Sequence, residues 1–599
     1  SAFFHEYFII GDTVRIIGAL LYALVLYLAF MGKMIFYSHF HDIYNQTMKL
    51  GINAEKRNLI DIFFHQDHGG WILLGIIPYL YCCYWALNVF LHLPSLPYPN
   101  IEEGVLRYTF NTAIFLACIA GFYWFRYGGT FWHDNKPEWD TIPSIVKKDI
   151  FFAKATVDDL VALEQVFKHN LHEAYKQTDE EDLRAIESLI SKKTSISSCS
   201  NPVYAFSRTA KGARIKKPRH IFLLVGESYL QQFFDPAFQS LNLVSGGRYL
   251  KDDSHTAQLS SALSAGIISR PSIVGLMSGI FDAGLELNEK ESFWHNKLPT
   301  ALPRQLSKLG YHSTYWYGGN VTYGNFNQFA PGCGFDEVQT ATEFCGPDAP
   351  KTWVGVYDNV FLENTAEMIL HGDEERGEYQ FHFIYTTSYH GPFKIPLKKY
   401  GYDPEKIMPE APNDVKENRA LQKNLGTFWF ADVAIGKFLR TMKEAFPDSL
   451  FIVTGDHSID MSSTLGKTSI MNRDANLRER HSPVLFFNHP EIDQSIFAGN
   501  TIGGHMNIQP TIFELIAPAG FTYYSLMTSL LEPIDHVVSP YHWLRKDAYG
   551  TYSNTFYQPL GEEEKADALV EGPLPYLAER KGYMALTGYL MRHSELLVR

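Results

Sequence analysis

Hydrophobic and polar positions change their pattern near residue 130. Before that point lie three long apolar stretches, at roughly 12–37, 70–93 and 109–126; the second reads GGWILLGIIPYLYCCYWALNVFLH. About 20 apolar residues suffice to cross a bilayer, so each stretch predicts a transmembrane helix. Arg15 and Lys33 lie near the ends of the first, where long cationic side chains snorkel to the interface. Tyr and Trp cluster near the stretch ends, as membrane interfaces favour. NLIDIFF, beside His65 and His68, is suited to lying flat in the interface. Lys49, Lys56 and Arg57 give the 38–69 loop more positive charge than the 94–108 loop, which has Arg107. Taken alone, that bias places the longer loop in the cytoplasm.

Residues 130–215 read as a polar connector. Its segment DDLVALEQVFKHNLHEAY has apolar residues at helical spacing, predicting a helix that leaves the membrane and packs on the following domain. From about 217 short apolar runs rich in β-branched and aromatic residues alternate with helical segments. HIFLLVGES, HSTYWYGGN, FHFIYTTSYH, LFIVTGDHS and SPVLFFNHP read as buried strands. LPRQLSKLG, NVFLENTAEMIL and WFADVAIGKFLRTM read as helices between them. The alternation predicts an α/β domain with a mostly parallel sheet flanked by helices. The expected organisation is an anchor over 1–129, a connector over 130–215, a catalytic domain over 216–545 and a C-terminal extension over 546–599.

Composition narrows the chemistry. The net charge of −13 over 599 residues argues against nucleic acid as the main partner, because phosphate binding needs a basic surface. Six cysteines include no CxxC pair, so a cysteine zinc site is not predicted. Cys82, Cys83 and Cys118 fall in apolar stretches, and Cys199 has no evident partner. A Cys333–Cys345 disulfide is compatible with a domain outside the cytosol.

Sites in parallel sheets lie beyond the carboxyl ends of the strands. The run 221–225 ends in Gly226-Glu227-Ser228, the run 450–454 in Gly455-Asp456-His457-Ser458, and the run 381–387 near His390. Three strands thus bring two carboxylates and two imidazoles to one sheet edge. Glu227, Asp456 and His457 suit a divalent metal, which would offset the cost of burying like charges. The stretch SAGIISRPSIVGLMSG supplies a nucleophile. Pro271 fits the first turn of a helix, placing Ser269 near its start. The free N–H groups there suit an anion such as phosphate. Ser269, held by the metal, would attack phosphorus and form a covalent phospho-enzyme. Ser272 is the competing hydroxyl, and Ser269 acting only as a cap is the structural alternative.

These segments resemble the alkaline phosphatase and sulfatase superfamily, and within it the lipoteichoic acid synthase type of membrane-anchored phosphoglycerol transferase. The resemblance rests on VGES with Glu227, Ser269 followed by GLMSG, YHGPF with His390, ADVAIGKFL at 431–439, TGDHS with Asp456 and His457, and NIQPTIFEL at 507–515. NPVYAF at 201–206 is similar to the family's lead-in, and together the matches cover most of 200–520. The resemblance implies an alkaline phosphatase/sulfatase-like fold and one divalent ion, Mn²⁺ first, with Mg²⁺ or Zn²⁺ as alternatives. It implies phosphoglycerol transfer from phosphatidylglycerol to a glycan or glycerophosphate acceptor through a covalent serine ester. It also implies a multi-pass cell-membrane protein of the cell envelope, its catalytic domain extracytoplasmic or periplasmic. Such proteins typically have five transmembrane helices, so about two are expected before Ser1, which is not a natural start. This arrangement places the 38–69 loop outside, against the charge bias.

The departures from the pattern bear on the substrate. Ser269 stands where most of that branch has Thr. The branch's substrate-loop His, Trp and Arg have no counterparts; counting back from the GFD at 334–336, this chain has Asn320, Gly324 and Phe326. A phosphoethanolamine transferase of the same superfamily is therefore an alternative. A sulfatase-like hydrolase is another, although its signature needs Arg two residues after Pro271, where Ile273 stands. A non-catalytic headgroup-binding membrane protein is the third. Among secondary residues, His390 is read as a phosphate contact or leaving-group acid. Tyr317, Asn320, Arg480, His481 and His505 are read as substrate-binding residues, with simple solvation the alternative for Arg480 and His481 and a structural role the alternative for His505.

Overall fold

The apolar stretches form the helices Gly11–Phe40, Gly69–Leu91 and Gly104–Arg126. Three spans within them, Thr13–Phe36, Gly69–Phe90 and Gly104–Phe125, are long and apolar enough to cross a membrane. Most of their apolar side chains stay uncovered, with Trp71, Ile77 and Phe125 exposed by 76%, 68% and 85%. Water would not tolerate such faces, whereas lipid satisfies them. The first two helices meet where the Tyr27 hydroxyl donates to the Ile72 carbonyl at 2.8 Å.

This computed structural model describes residues 11–40, 44, 48, 60, 63–64, 67–91, 101, 104–126, 159–168, 178–190, 201–373, 378–391, 393–458, 468–470, 482–552, 556–559, 570–571 and 576–597. They fall into two units, Ser1–Asn170 and Leu171–Arg599. The connector divides between them. Its helix Asp159–Lys168 packs on the first apolar helix, with Ala162 and Val166 buried beside Phe36 and Tyr44. Asp159 pairs with Lys33 in the same place. A second helix, Asp179–Glu187, belongs to the globular unit. There Arg592 pairs with Asp179 at 3.0 Å and with the buried Asp182.

Seven strands build the main sheet. In chain order they are β1 (His220–Gly226), β2 (Thr256–Gln258), β3 (Tyr311–Tyr317), β4 (Glu337–Thr340), β5 (Tyr379–Tyr385), β6 (Leu450–Gly455) and β7 (Leu485–Asn488). Their spatial order is β2-β7-β6-β1-β5-β3-β4. Only β7 runs antiparallel to its neighbours. Every residue of β1 is buried, because both faces of the sheet are covered. Alternation sorts its side chains. Ile221, Leu223 and Val225 enter one core, and Phe222 and Leu224 enter the other.

The first core holds the helices Ser269–Ser278, His505–Ile516 and Leu577–Arg592. The second holds Asp358–Gly372 and the long Arg419–Ala445. Cys333 is buried in the first core, and Cys345 packs against the second. The sheet separates them and both thiols are free, so the disulfide considered from sequence does not form. Cys199 lies outside the described residues. A small antiparallel sheet runs from His536 to Glu571, across the boundary expected at 545.

The end of the sheet away from the strands' carboxyl edge carries a buried polar line. Trp316 Nε1–H donates to His382 Nδ1 at 3.3 Å, and His382 Nε2 lies 3.2 Å from His220 Nδ1. An indole only donates, so Nδ1 of His382 accepts and its Nε2 carries the proton. His220 Nε2 then faces Asp373 Oδ1 at 3.1 Å. Burial holds the His220 imidazole down to about 4, against the opposing charge of Asp373. An unfolded histidine titrates near ~6.5. Between these values the unfolded chain binds more protons, so His220's contribution is complete above pH 6.5 and is lost as pH falls through 4. The loss amounts to about 3 kcal/mol. Denaturant melts at stepped pH check this: wild type should lose stability more steeply across that window than His220→Phe. Parallel curves would assign the acid sensitivity elsewhere.

Candidate active site

The site begins from a register. Gly226 at the end of β1 pairs with Gly455 at the end of β6, and each is followed at once by a carboxylate, Glu227 and Asp456. The turn after β1 crosses closely over β6. A Cβ on Gly455 would lie 2.5 Å from the Tyr229 carbonyl oxygen, so only glycine fits. Ser228 adopts φ 46°, which is uncommon for a residue with a side chain. In that conformation its N–H donates to Asp456 Oδ1 at 2.7 Å and its hydroxyl to Glu227 Oε1 at 3.2 Å.

His457 closes the cluster. Its Nε2 lies 3.6 Å from Glu227 Oε1 and 3.7 Å from Asp456 Oδ2. One ligand atom from each of Glu227, Asp456 and His457 lies within 4.8 Å of the others, and all three residues are buried. His457 Nδ1 faces the Ser458 carbonyl at 3.1 Å, which turns Nε2 toward the carboxylates. Burial and the charge of Glu227 push Asp456 up to about 6. For His457 burial acts the other way, but the two carboxylates prevail and raise it to about 9. Two buried carboxylates with one imidazole between them fit a divalent cation by donor type, spacing and charge.

Ser269 is the first residue of the helix Ser269–Ser278, and no side chain caps that helix. Its hydroxyl instead donates to Glu227 Oε2 at 3.3 Å. Ser272 is fully buried and bonds both the N–H and the carbonyl of Gly266 at 3.0 Å. Of the two hydroxyls, Ser269 faces the acidic cluster and Ser272 holds the loop. Against its burial, the Glu227 carboxyl is held low first by the hydrogen bond from His457 and then by the neighbouring His390. His390 Nδ1 faces the Gly391 carbonyl at 2.9 Å, and Trp353 Nε1–H donates to the same oxygen at 2.8 Å.

The other sequence candidates separate. Tyr317 ends β3 and stacks on Tyr385 at 5.3 Å, so it reaches the cluster's edge. Asn320 is exposed and turned into its own loop, where Oδ1 accepts from the Thr322 N–H and hydroxyl. Arg480 and His481 lie outside the described residues. His505 takes the structural role that was its alternative. It is buried, Nδ1 accepts from the Ala265 N–H at 3.2 Å, and Nε2 faces the Gly455 carbonyl at 2.9 Å. It therefore braces the loop before Ser269 against the end of β6, with both nitrogens used inside the fold. Sequence reading passed over Tyr385 and Ser228, although both sit at the strand ends that delivered Glu227 and His390.

Residues 252–517 match the sulfatase family. That span contains Ser269, His390, Asp456 and His457, while Glu227 precedes it. The chain is similar to the lipoteichoic acid synthase LtaP from Listeria monocytogenes, at 17% identity over 70% of this chain and 98% of that one, with a TM-score of 0.47. It is similar to a protein in the alkaline phosphatase superfamily from Vibrio parahaemolyticus, at 17% identity over 71% and 98%, TM-score 0.49. It is also similar to the integral membrane lipooligosaccharide phosphoethanolamine transferase A from Neisseria meningitidis, at 13% identity over 85% and 84%, TM-score 0.44. The globular unit is an α/β domain whose residues 252–517 are sulfatase-like.

Proposed function

We propose that this protein is a membrane-bound, metal-dependent phosphotransferase that moves a phospholipid headgroup, phosphoglycerol from phosphatidylglycerol, to a glycan or glycerophosphate hydroxyl. The observation that carries this reading is the Ser269 hydroxyl, first in its helix and facing Glu227, beside a three-ligand N/O cluster. The three apolar helices supply the reason for a lipid donor, since they keep such a site near its substrate.

Glu227, Asp456 and His457, with the Ser269 hydroxyl, would hold the divalent cation; Mn²⁺ is the first choice and Mg²⁺ or Zn²⁺ the alternatives. When bound, the cation neutralises the carboxylates and supplies Lewis acidity. Ser269 Oγ attacks phosphorus, and its proton passes to the carboxylates it faces. The Ser269 O–P bond forms as the bond from phosphorus to the diacylglycerol oxygen breaks. His390 donates a proton from Nε2 to that oxygen, and diacylglycerol leaves. In the second step an acceptor hydroxyl attacks phosphorus and gives its proton to His390. The Ser269 O–P bond breaks and Ser269 regains its proton. Backbone N–H groups of the first helical turn bind the phosphoryl oxygens throughout. The anchor sits in the cell membrane with the catalytic domain outside the cytoplasm.

Intact mass of the detergent-purified protein after incubation with phosphatidylglycerol or phosphatidylethanolamine, with and without Mn²⁺, tests this. The expected result is a metal-dependent adduct on Ser269 whose mass is that of phosphoglycerol. A phosphoethanolamine adduct would keep the mechanism and change the donor. No adduct, with diacylglycerol release equal to that of Ser269→Ala, would overturn the reading.

A further inference from the structure

Tyr385 is a buried phenol at the centre of the cluster that the two-step transfer leaves without a role. It is the last residue of β5, in register with Val225 of β1 and Tyr317 of β3. Its hydroxyl lies 2.7 Å from Glu227 Oε2 and 3.0 Å from Asp456 Oδ2. It also contacts the Ser269 side chain. One hydroxyl thus touches both acidic residues and the nucleophile.

Two features make that hydroxyl a fixed reference. The ring is stacked on Tyr317 with an interplanar angle of 8°, and the strand fixes its backbone, so the O–H position is set by the sheet. The other contacts also leave it a distinct task. Asp456 Oδ1 is held by the backbone N–H groups of Ser228 and His457, at 2.7 and 2.8 Å. Asp456 Oδ2 has the Tyr385 hydroxyl at 3.0 Å and His457 Nε2 at 3.7 Å, and the Asp456 carboxylate also meets the Ser269 side chain. Glu227 Oε2 has the Tyr385 hydroxyl at 2.7 Å and the Ser269 hydroxyl at 3.3 Å. A phenol has one proton and donates to one carboxylate at a time, while its oxygen can accept from Ser269.

We infer that Tyr385 is a positioning residue, which presets the Glu227 and Asp456 carboxylates and the Ser269 hydroxyl for a divalent cation. This rests on the reading of the cluster as a metal site. Outer groups that orient metal ligands carry a measurable share of affinity, on the order of 10- to 100-fold.

The test is calorimetric titration of the full chain in detergent with Mn²⁺ and separately with Zn²⁺. Tyr385→Phe keeps the ring and its stacking and removes only the hydroxyl. Its dissociation constant is expected to rise about tenfold. Tyr389→Phe is the control. That phenol is also buried, but its hydroxyl bonds Asn424 at 2.8 Å. It should lose a hydrogen bond and keep wild-type metal affinity. A Tyr385→Phe constant equal to wild type, with the fold intact by thermal melting, would overturn the inference while leaving the metal site standing. An equal loss in both variants would also overturn it, assigning the effect to general loosening. Wild type that binds neither ion would remove the metal site itself, and the inference with it.

Discussion

Ser269→Ala is expected to lower headgroup release from the phospholipid donor on the order of 10⁴-fold or more, the scale seen when a covalent nucleophile is removed. The size follows from the neighbouring hydroxyls among the described residues, which are already engaged. Ser272 is fully buried and both of its hydrogen-bonding roles are taken by Gly266. Ser228 is buried with its hydroxyl on Glu227. Stability should hardly change, because Ser269 caps nothing and its bond to Glu227 is long, at 3.3 Å. A diacylglycerol-release assay and a thermal melt on the same preparation check both halves. Activity within tenfold of wild type would remove Ser269 from the mechanism.

Asp456→Asn separates stability from metal binding. Asn keeps the shape, and its carbonyl can still accept from the N–H groups of Ser228 and His457. What disappears is one of two buried negative charges, each facing the same Tyr385 hydroxyl. Without metal, the variant should melt higher than wild type by about 2 °C, the shift that ~1 kcal/mol gives in a large domain. With Mn²⁺ the order reverses, because wild type gains binding energy that the variant lacks. Loss of an anionic ligand should weaken metal binding by at least about 100-fold, and transfer should fall with it. Melting curves with and without Mn²⁺ settle the point. A variant that melts lower in both conditions would mean that Asp456 serves the fold rather than a cation.

Much of the site was legible because local rules expose it. An apolar run ending in Gly-Glu or Gly-Asp-His places polar groups at a strand's carboxyl end, and β1 and β6 do so at paired glycines. Ser269 followed by Pro271 marked a helix start, which the structure has at Ser269. The parts that escaped depend on neighbours distant in sequence. His505 carries no local sign of its role. Only the approach of its helix to Ala265 and Gly455 turns it into a brace. Tyr385 reads as the apolar end of a strand until β1 and β6 place two carboxylates against its hydroxyl.

The sequence by itself determined the membrane-length helices, the parallel α/β class and the residue types at the sheet edge. Each of these follows from composition or periodicity within one short segment. Tertiary structure decided which serine faces the acidic cluster, how the two cysteines stand on either side of the sheet, and which histidines face the cluster. Those outcomes rest on strand order and register, through contacts between residues as far apart as Glu227 and His457, and no local pattern encodes them.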